Sequence, residues 1–252
     1  MFEIFILSLV QGITEFLPIS SSSHLLIFSS FGNFENQNVN IDISLHIGSF
    51  IAVIYFFYKD LINFIKNKEL FFKILISSIP VMIVGGFLIQ TNLIEKFRSI
   101  EVIAWTTLIF GILLYVSDKY KLKKNIKNNF NYKTALIIGL FQIISLIPGV
   151  SRSGITITAA RLLNFKRYDS AKISFLLSIP TLGAVTIFGL GNLLGSQNVN
   201  FSQINLLSIF FSFIFSFLTI KYFLIYIKKF SLKIFIVYRV ILGLILLTIV
   251  YL

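Results

Sequence analysis

The stretch Leu146-Ile147-Pro148-Gly149-Val150-Ser151-Arg152-Ser153-Gly154-Ile155-Thr156 decides the fold, because it interrupts an apolar run at its middle. Pro148 has no backbone N–H, and Gly149 and Gly154 permit sharp turns, so one helix stops here and another starts. The run that contains it, 134–160, has 27 residues, too few for two crossings of about 20 residues each. Basic clusters at 118–133 and 161–172 flank it on both sides, and Lys and Arg collect on the cytoplasmic face of a membrane. The segment must therefore enter and return on one side, as a re-entrant helical hairpin. Irregular backbone at membrane depth is tolerated only where protein buries it or where it lines a wet cavity, so this turn is expected to face a site.

Residues 1–31 have the same anatomy: an apolar run, then Q-G-I-T-E-F-L-P-I-S-S-S-S-H-L-L from Gln11 to Leu26, then a second apolar stretch. Placing Pro18 on Pro148 superposes the two. Between and after the hairpins, full spans fit at 43–58, 74–90, 101–117, 173–191, 204–220 and 234–252. Each hairpin is followed by three spans, and three is odd, so the second unit is inserted upside down relative to the first. The expected fold is an all-α polytopic membrane protein, one membrane domain over 1–252. It holds two inverted repeats, about 1–117 and about 134–252, each a re-entrant hairpin plus three transmembrane helices. Such repeats place a shared site near the midplane, where the broken elements meet.

Composition agrees. The 252 residues are 56% hydrophobic and only 13% charged, with mean hydropathy +0.90, against about a quarter charged in soluble domains. The net charge of +12 would suggest nucleic acid in a soluble protein, but 18 of the 22 Lys and Arg fall in 59–73, 118–133, 161–172 and 221–233. The alternate stretches 32–42, 91–101 and 192–203 hold only Lys96 and Arg98. By the positive-inside rule the first set is cytoplasmic and the second outside. Cysteine is absent, so thiol chemistry is excluded. The first ten residues carry Glu3 and no basic residue, so the opening apolar run is read as mature protein rather than a cleaved signal.

Glu15 is the one acid set inside an apolar segment, and an intramembrane ionisable group is a functional hypothesis by default. Gln11 lies four residues earlier, on the same face of a helix; together they suit a hard divalent cation or the orienting of a nucleophile. The hydroxyls of Ser20 to Ser23 and the imidazole of His24 follow, which with the carboxylate are the parts of a nucleophilic or general-base site. In the second turn Arg152 stands apart from the loop clusters. Flanked by Ser151, Ser153, Gly154 and Thr156 at a helix start, it offers a bidentate fork, hydroxyls and free N–H groups to a phosphate. The plainer alternative for Arg152 is a structural ion pair with Glu15. His46 is read as a packed or interfacial histidine, Arg239 as a side chain that snorkels to the cytoplasmic face, and Pro80 and Pro180 as kinks within spans.

The two quoted stretches resemble the signatures of the undecaprenyl-diphosphate phosphatase family, also called the bacitracin-resistance family. Gln11 to His24 is similar to its first motif, and Pro148 to Thr156 matches every fixed position of its second. The resemblance implies hydrolysis of a C55 polyprenyl diphosphate to the monophosphate, recycling the lipid carrier of cell-wall synthesis and conferring bacitracin resistance. It implies functional roles for Glu15, Ser21, His24, Ser151, Arg152 and Thr156, a divalent cation such as Mg²⁺ or Ca²⁺ near Glu15 and Gln11, and a multi-pass location in the bacterial inner membrane with the site open to the periplasm. The expected partners are the polyprenyl diphosphate and the membrane, with no nucleic acid; a homodimer is left open. Gln11 stands where the motif often has Glu, and Ser23 where Gly is common, which leaves metal ligation and the openness of the turn undecided. The attacking group is either Ser21, activated by His24 or Glu15, or a water held by Glu15. A transporter of a polyprenyl phosphate or other anion is the rival reading, since broken inverted repeats also build secondary transporters.

Overall fold

A computed structural model describes residues 1–32, 38–66, 68–91, 93, 97–195 and 203–252. Among them the chain is helical almost throughout: α1 Phe2–Thr14, α2 Ser21–Gly32, α3 Val39–Phe56, α4 Tyr58–Lys66, α5 Lys68–Gln90, α6 Ile100–Asp118, α7 Ile126–Asn129, α8 Tyr132–Ile143, α9 Arg152–Leu162, α10 Arg167–Gly195, α11 Gln203–Lys229 and α12 Lys233–Tyr251. Six of these, α3, α5, α6, α10, α11 and α12, are long and apolar enough to cross a membrane. By contrast α1, α2, α8 and α9 have 13, 12, 12 and 11 residues. At 1.5 Å per residue each reaches about 20 Å at most, short of the roughly 30 Å hydrocarbon core.

Local signals explain where the helices start. Asn38 accepts from the Ile41 N–H at 3.0 Å and Ser99 from the Val102 N–H at 3.2 Å, while Asn131 and Thr134 form a reciprocal capping box. Helices α5, α10 and α11 are longer than the apolar runs alone suggest, because nothing in their basic flanks breaks a helix. The stretch 59–73, expected as a cytoplasmic loop, is instead α4 followed by the first turns of α5. Pro80 and Pro180 lie inside continuous α5 and α10. Of the stretches 32–42, 91–101 and 192–203, residues 33–37, 92, 94–96 and 196–202 lie outside the described residues, Lys96 among them.

Packing is close where side chains are small, as is usual between helices in lipid. A Cβ added at Gly12 of α1 would meet Phe215 Cβ of α11 at 2.5 Å, and one at Gly139 of α8 would meet the Ser77 carbonyl of α5 at 2.3 Å. The α3–α11 seam is sewn by Ser49 Oγ, which lies 3.2 Å from Ser212 Oγ and 2.9 Å from Ser216 Oγ. The main core, with Phe16, Phe57, Phe175, Leu176 and Phe223 fully or nearly buried, fills the space between the first turn, α3, α10 and α11. Large apolar side chains such as Ile83, Phe87, Ile187 and Tyr222 point outward, as a hydrocarbon-facing surface requires. At the basic end Arg161 is not a solvated loop charge: it is buried, donating to the carbonyls of Phe165, Tyr120 and Asp118. Asp118 also accepts from Arg167 Nε at 2.7 Å and from the Leu232 N–H at 3.3 Å. One carboxylate thus ties the ends of α6 and α9 to the starts of α10 and α12.

Candidate active site

Helix α1 ends at Thr14, and Glu15 follows as its cap, still helical, with its N–H on the Gln11 carbonyl. Pro18 turns the chain, and Ser20 takes a left-handed φ of 80° before α2 begins. The second turn follows the same course. Helix α8 tightens into a 3-10 turn at Ile144–Leu146, the chain passes Pro148, and Ser151 takes φ 71° before α9. Counted from proline to cap, the second turn is one residue longer, so the alignment on Pro18 and Pro148 slips by one at the serines. Both caps are satisfied locally: Ser151 Oγ accepts from the Gly154 N–H at 3.1 Å, and Ser20 Oγ lies 3.0 Å from Ser23 Oγ.

The turns meet at Glu15. Its Oε1 accepts from Arg152 Nη2 at 2.6 Å, and its Oε2 accepts from Ser21 Oγ at 2.6 Å and from Gln11 Nε2 at 3.2 Å. The two side chains of the ion pair are 7% and 14% exposed, so the pair is largely shielded from water. Ser153 Oγ adds a second strut by donating to the Leu17 carbonyl at 2.7 Å. A cavity of about 480 Å³ opens onto this group. Its polar end is lined by Glu15, Ser20, Ser21, Ser22, His46, Ser151 and Arg152, and its apolar arm by Val81, Met82, Gly85, Gly86, Leu182, Val185 and Phe188 of α5 and α10. A polar head and an apolar tail are provided for in one continuous space.

Not every residue singled out from the sequence comes to that cavity. Glu15, Ser21, Ser151 and Arg152 do. Ser153 is spent on Leu17, and Thr156 donates to the Arg152 carbonyl at 2.9 Å and lies 2.8 Å from Ser174 Oγ, on α10. His24 is buried and turned away, with Nδ1 2.6 Å from the Ser20 carbonyl and Nε2 2.6 Å from Tyr238 Oη of α12. A carbonyl only accepts, so Nδ1 donates and Nε2 accepts the tyrosine proton. Both ring nitrogens are occupied. His46, by contrast, lines the cavity. Its Nδ1 donates to the Asp42 carbonyl at 2.7 Å, which leaves the Nε2 lone pair without a hydrogen bond among the described residues.

Arg239 is the largest correction. It does not snorkel: it is fully buried, with Nη1 donating to the carbonyls of Pro18 at 3.2 Å and Val150 at 3.0 Å, Nη2 to Gly149 at 2.9 Å, and Nε to Thr107 at 3.3 Å. Helix α12 begins at Lys233, which sets Arg239 nearly two turns inside, and the carbonyls of the two turns hold its guanidinium there. An intramembrane cation with no acid in its own span was the signal available.

A divalent cation is compatible with the donors present. Gln11 Oε1 is a buried oxygen with no partner, beside the Glu15 carboxylate. Among the described residues no three acidic or imidazole groups cluster, so a cation would need oxygens of its substrate to complete its shell.

Residues 4–245 match the family described as bacitracin resistance protein BacA. The chain belongs to that family. Among its relatives is an undecaprenyl-diphosphatase of Pelagibacter ubique, 50% identical over 99% of this chain and 97% of the relative. Undecaprenyl-diphosphatases of Saccharophagus degradans and Jannaschia sp. are 41% and 38% identical, over 94% and 100% of this chain and 93% and 99% of theirs. The match to the BacA family runs through both turns, five of the long helices and most of the sixth, so the cavity lies wholly within it.

Proposed function

We propose that this chain is a membrane phosphatase that hydrolyses undecaprenyl diphosphate to undecaprenyl phosphate and inorganic phosphate, and thereby supports cell-wall synthesis and bacitracin resistance. The observation that carries the assignment is the chain Arg152–Glu15–Ser21, two contacts of 2.6 Å that join a cation, a carboxylate and a hydroxyl across the two turns at the polar end of an amphipathic cavity. The diphosphate enters with its lipid in the apolar arm and competes for the Arg152 fork, which matches phosphate geometry. As Arg152 turns to phosphate, Glu15 loses its counter-charge and becomes a better base toward Ser21. Ser21 Oγ then attacks the terminal phosphorus, its proton passes to Glu15, and the bridging P–O bond breaks to release the lipid monophosphate. A water hydrolyses the phosphoserine, Glu15 returns its proton to Ser21, and the water's remaining proton goes to solvent with release of phosphate. Most of the rate enhancement comes from positioning and from charge stabilisation by Arg152. A divalent cation held by Glu15 and Gln11 would neutralise further charge on the diphosphate. His24 serves to hold the first turn against Tyr238.

The four short helices are two re-entrant hairpins, and the chain is two inverted units with both termini outside. Supporting this, α1 packs on α11 just as α8 packs on α5, each first helix of one half against the corresponding span of the other. The apolar arm runs along the outer halves of α5 and α10, so the cavity opens toward the periplasm of a bacterial inner membrane.

The test is phosphate release from undecaprenyl diphosphate by detergent-purified protein. With no membrane and no gradient, the phosphatase is active and a transporter is silent. Release by wild type, lost in Ser21→Ala, is expected; a folded, silent wild type favours the transporter.

A further inference from the structure

We infer that Arg239 is a positioning residue that fixes the spacing between the two catalytic turns, and with it the distance from Ser21 to Arg152. Its guanidinium draws together carbonyls from both: Pro18, three residues before Ser21, and Gly149 and Val150, just before Arg152. Three buried carbonyl oxygens pointing at one place repel each other, and only a donor with several divergent N–H groups holds them there. Arg239 also reaches Thr107 of α6, so the clamp is anchored to two spans at once. It has no carboxylate partner among its bonds, which separates it from an ordinary structural ion pair. The sequence leaves space for it. A Cβ at Gly154 would lie 2.9 Å from Arg239 Nη1, so glycine in the second motif makes room for the guanidinium as well as opening a helix start.

The inference rests on the phosphatase reading for its kinetic consequence only. Arg239 does not line the cavity and touches no substrate, so its loss should act on turnover and not on affinity. For purified Arg239→Lys and Arg239→Gln, measured per folded molecule, the expected result is a fall in kcat of at least about tenfold in Lys and more in Gln, the scale on which small misplacements act, with KM within about threefold of wild type. Wild-type kcat in both variants overturns the inference however far the melting temperature drops, and so does a raised KM with kcat retained. If Gln does not fold, the Lys variant alone decides.

A second readout needs no activity. The chain has no cysteine, so spin labels at Ile13→Cys of α1 and Leu140→Cys of α8, both solvent- or lipid-exposed positions, report the separation of the two helices that lead into the turns. A longer or broader distance distribution in Arg239→Lys or Arg239→Gln supports the clamp, and an unchanged distribution in both contradicts it. A clamp supported in a wild type that releases no phosphate would sink the proposed function and leave the clamp standing.

Discussion

Glu15 receives three donors on two oxygens, and this merges two roles that looked like alternatives. The carboxylate is ion-paired to Arg152 and hydrogen-bonded to Ser21 at the same time. Removing its charge therefore strands a largely buried guanidinium, and breaking a buried pair from one side costs about 3–5 kcal/mol. The cavity admits water to Arg152, which places the cost near the lower end. Glu15→Gln should lower the melting temperature and also cut turnover of the remaining folded protein by about 10² or more. A destabilised variant with normal turnover per folded molecule would leave Glu15 a purely structural residue. Arg152→Lys should lose most activity as well, because Nη1 and Nη2 serve different partners, Ser174 and Glu15, and an ammonium cannot reproduce the fork; steady-state kinetics on the two variants side by side would show it. Residues within each turn were legible in the sequence, since Pro18, Pro148 and the Ser and Gly around them are local signals. The partners that lie far along the chain were not: Arg239 is 221 residues from Pro18, and the exchange of His24 for His46 at the cavity depends on which helix face packs inward.

At the scale of the helices, the short elements are seated by glycines. Gly12 places α1 on α11 and Gly139 places α8 on α5, each with no room for one more carbon. Overpacking of such contacts usually costs about 1–3 kcal/mol, and here the obstruction is backbone or a Cβ, which cannot rotate aside. Gly12→Val and Gly139→Val should both depress the melting temperature in detergent, and by similar amounts if the two hairpins are equivalent. A large effect at one and none at the other would argue that the halves are packed on different principles. The spans themselves were readable from hydropathy, because their apolar runs are long. Their ends were not, since Lys-rich flanks such as 59–73 continue as helix beyond the apolar limit.

For the whole molecule, the charge asymmetry and the proposed re-entrant hairpins together predict both ends of the chain outside. The absence of cysteine makes this directly measurable. In spheroplasts treated with a membrane-impermeant maleimide, Phe2→Cys and Leu252→Cys should label and Tyr120→Cys should not. Labelling of Leu252→Cys without Phe2→Cys would mean that the first hairpin crosses the membrane, and the inverted pairing of the halves would fail.

In the proposed mechanism Ser21 carries the phosphoryl group, held between Glu15 of one turn and Arg152 of the other. This is tested by acid-quenching purified protein during turnover of undecaprenyl diphosphate labelled in its terminal phosphate. An acid-stable phosphoryl label is expected on the peptide containing Ser21, lost together with phosphate release in Ser21→Ala. Undiminished phosphate release by Ser21→Ala, with no label on the wild-type peptide, would contradict it and assign the attack to water.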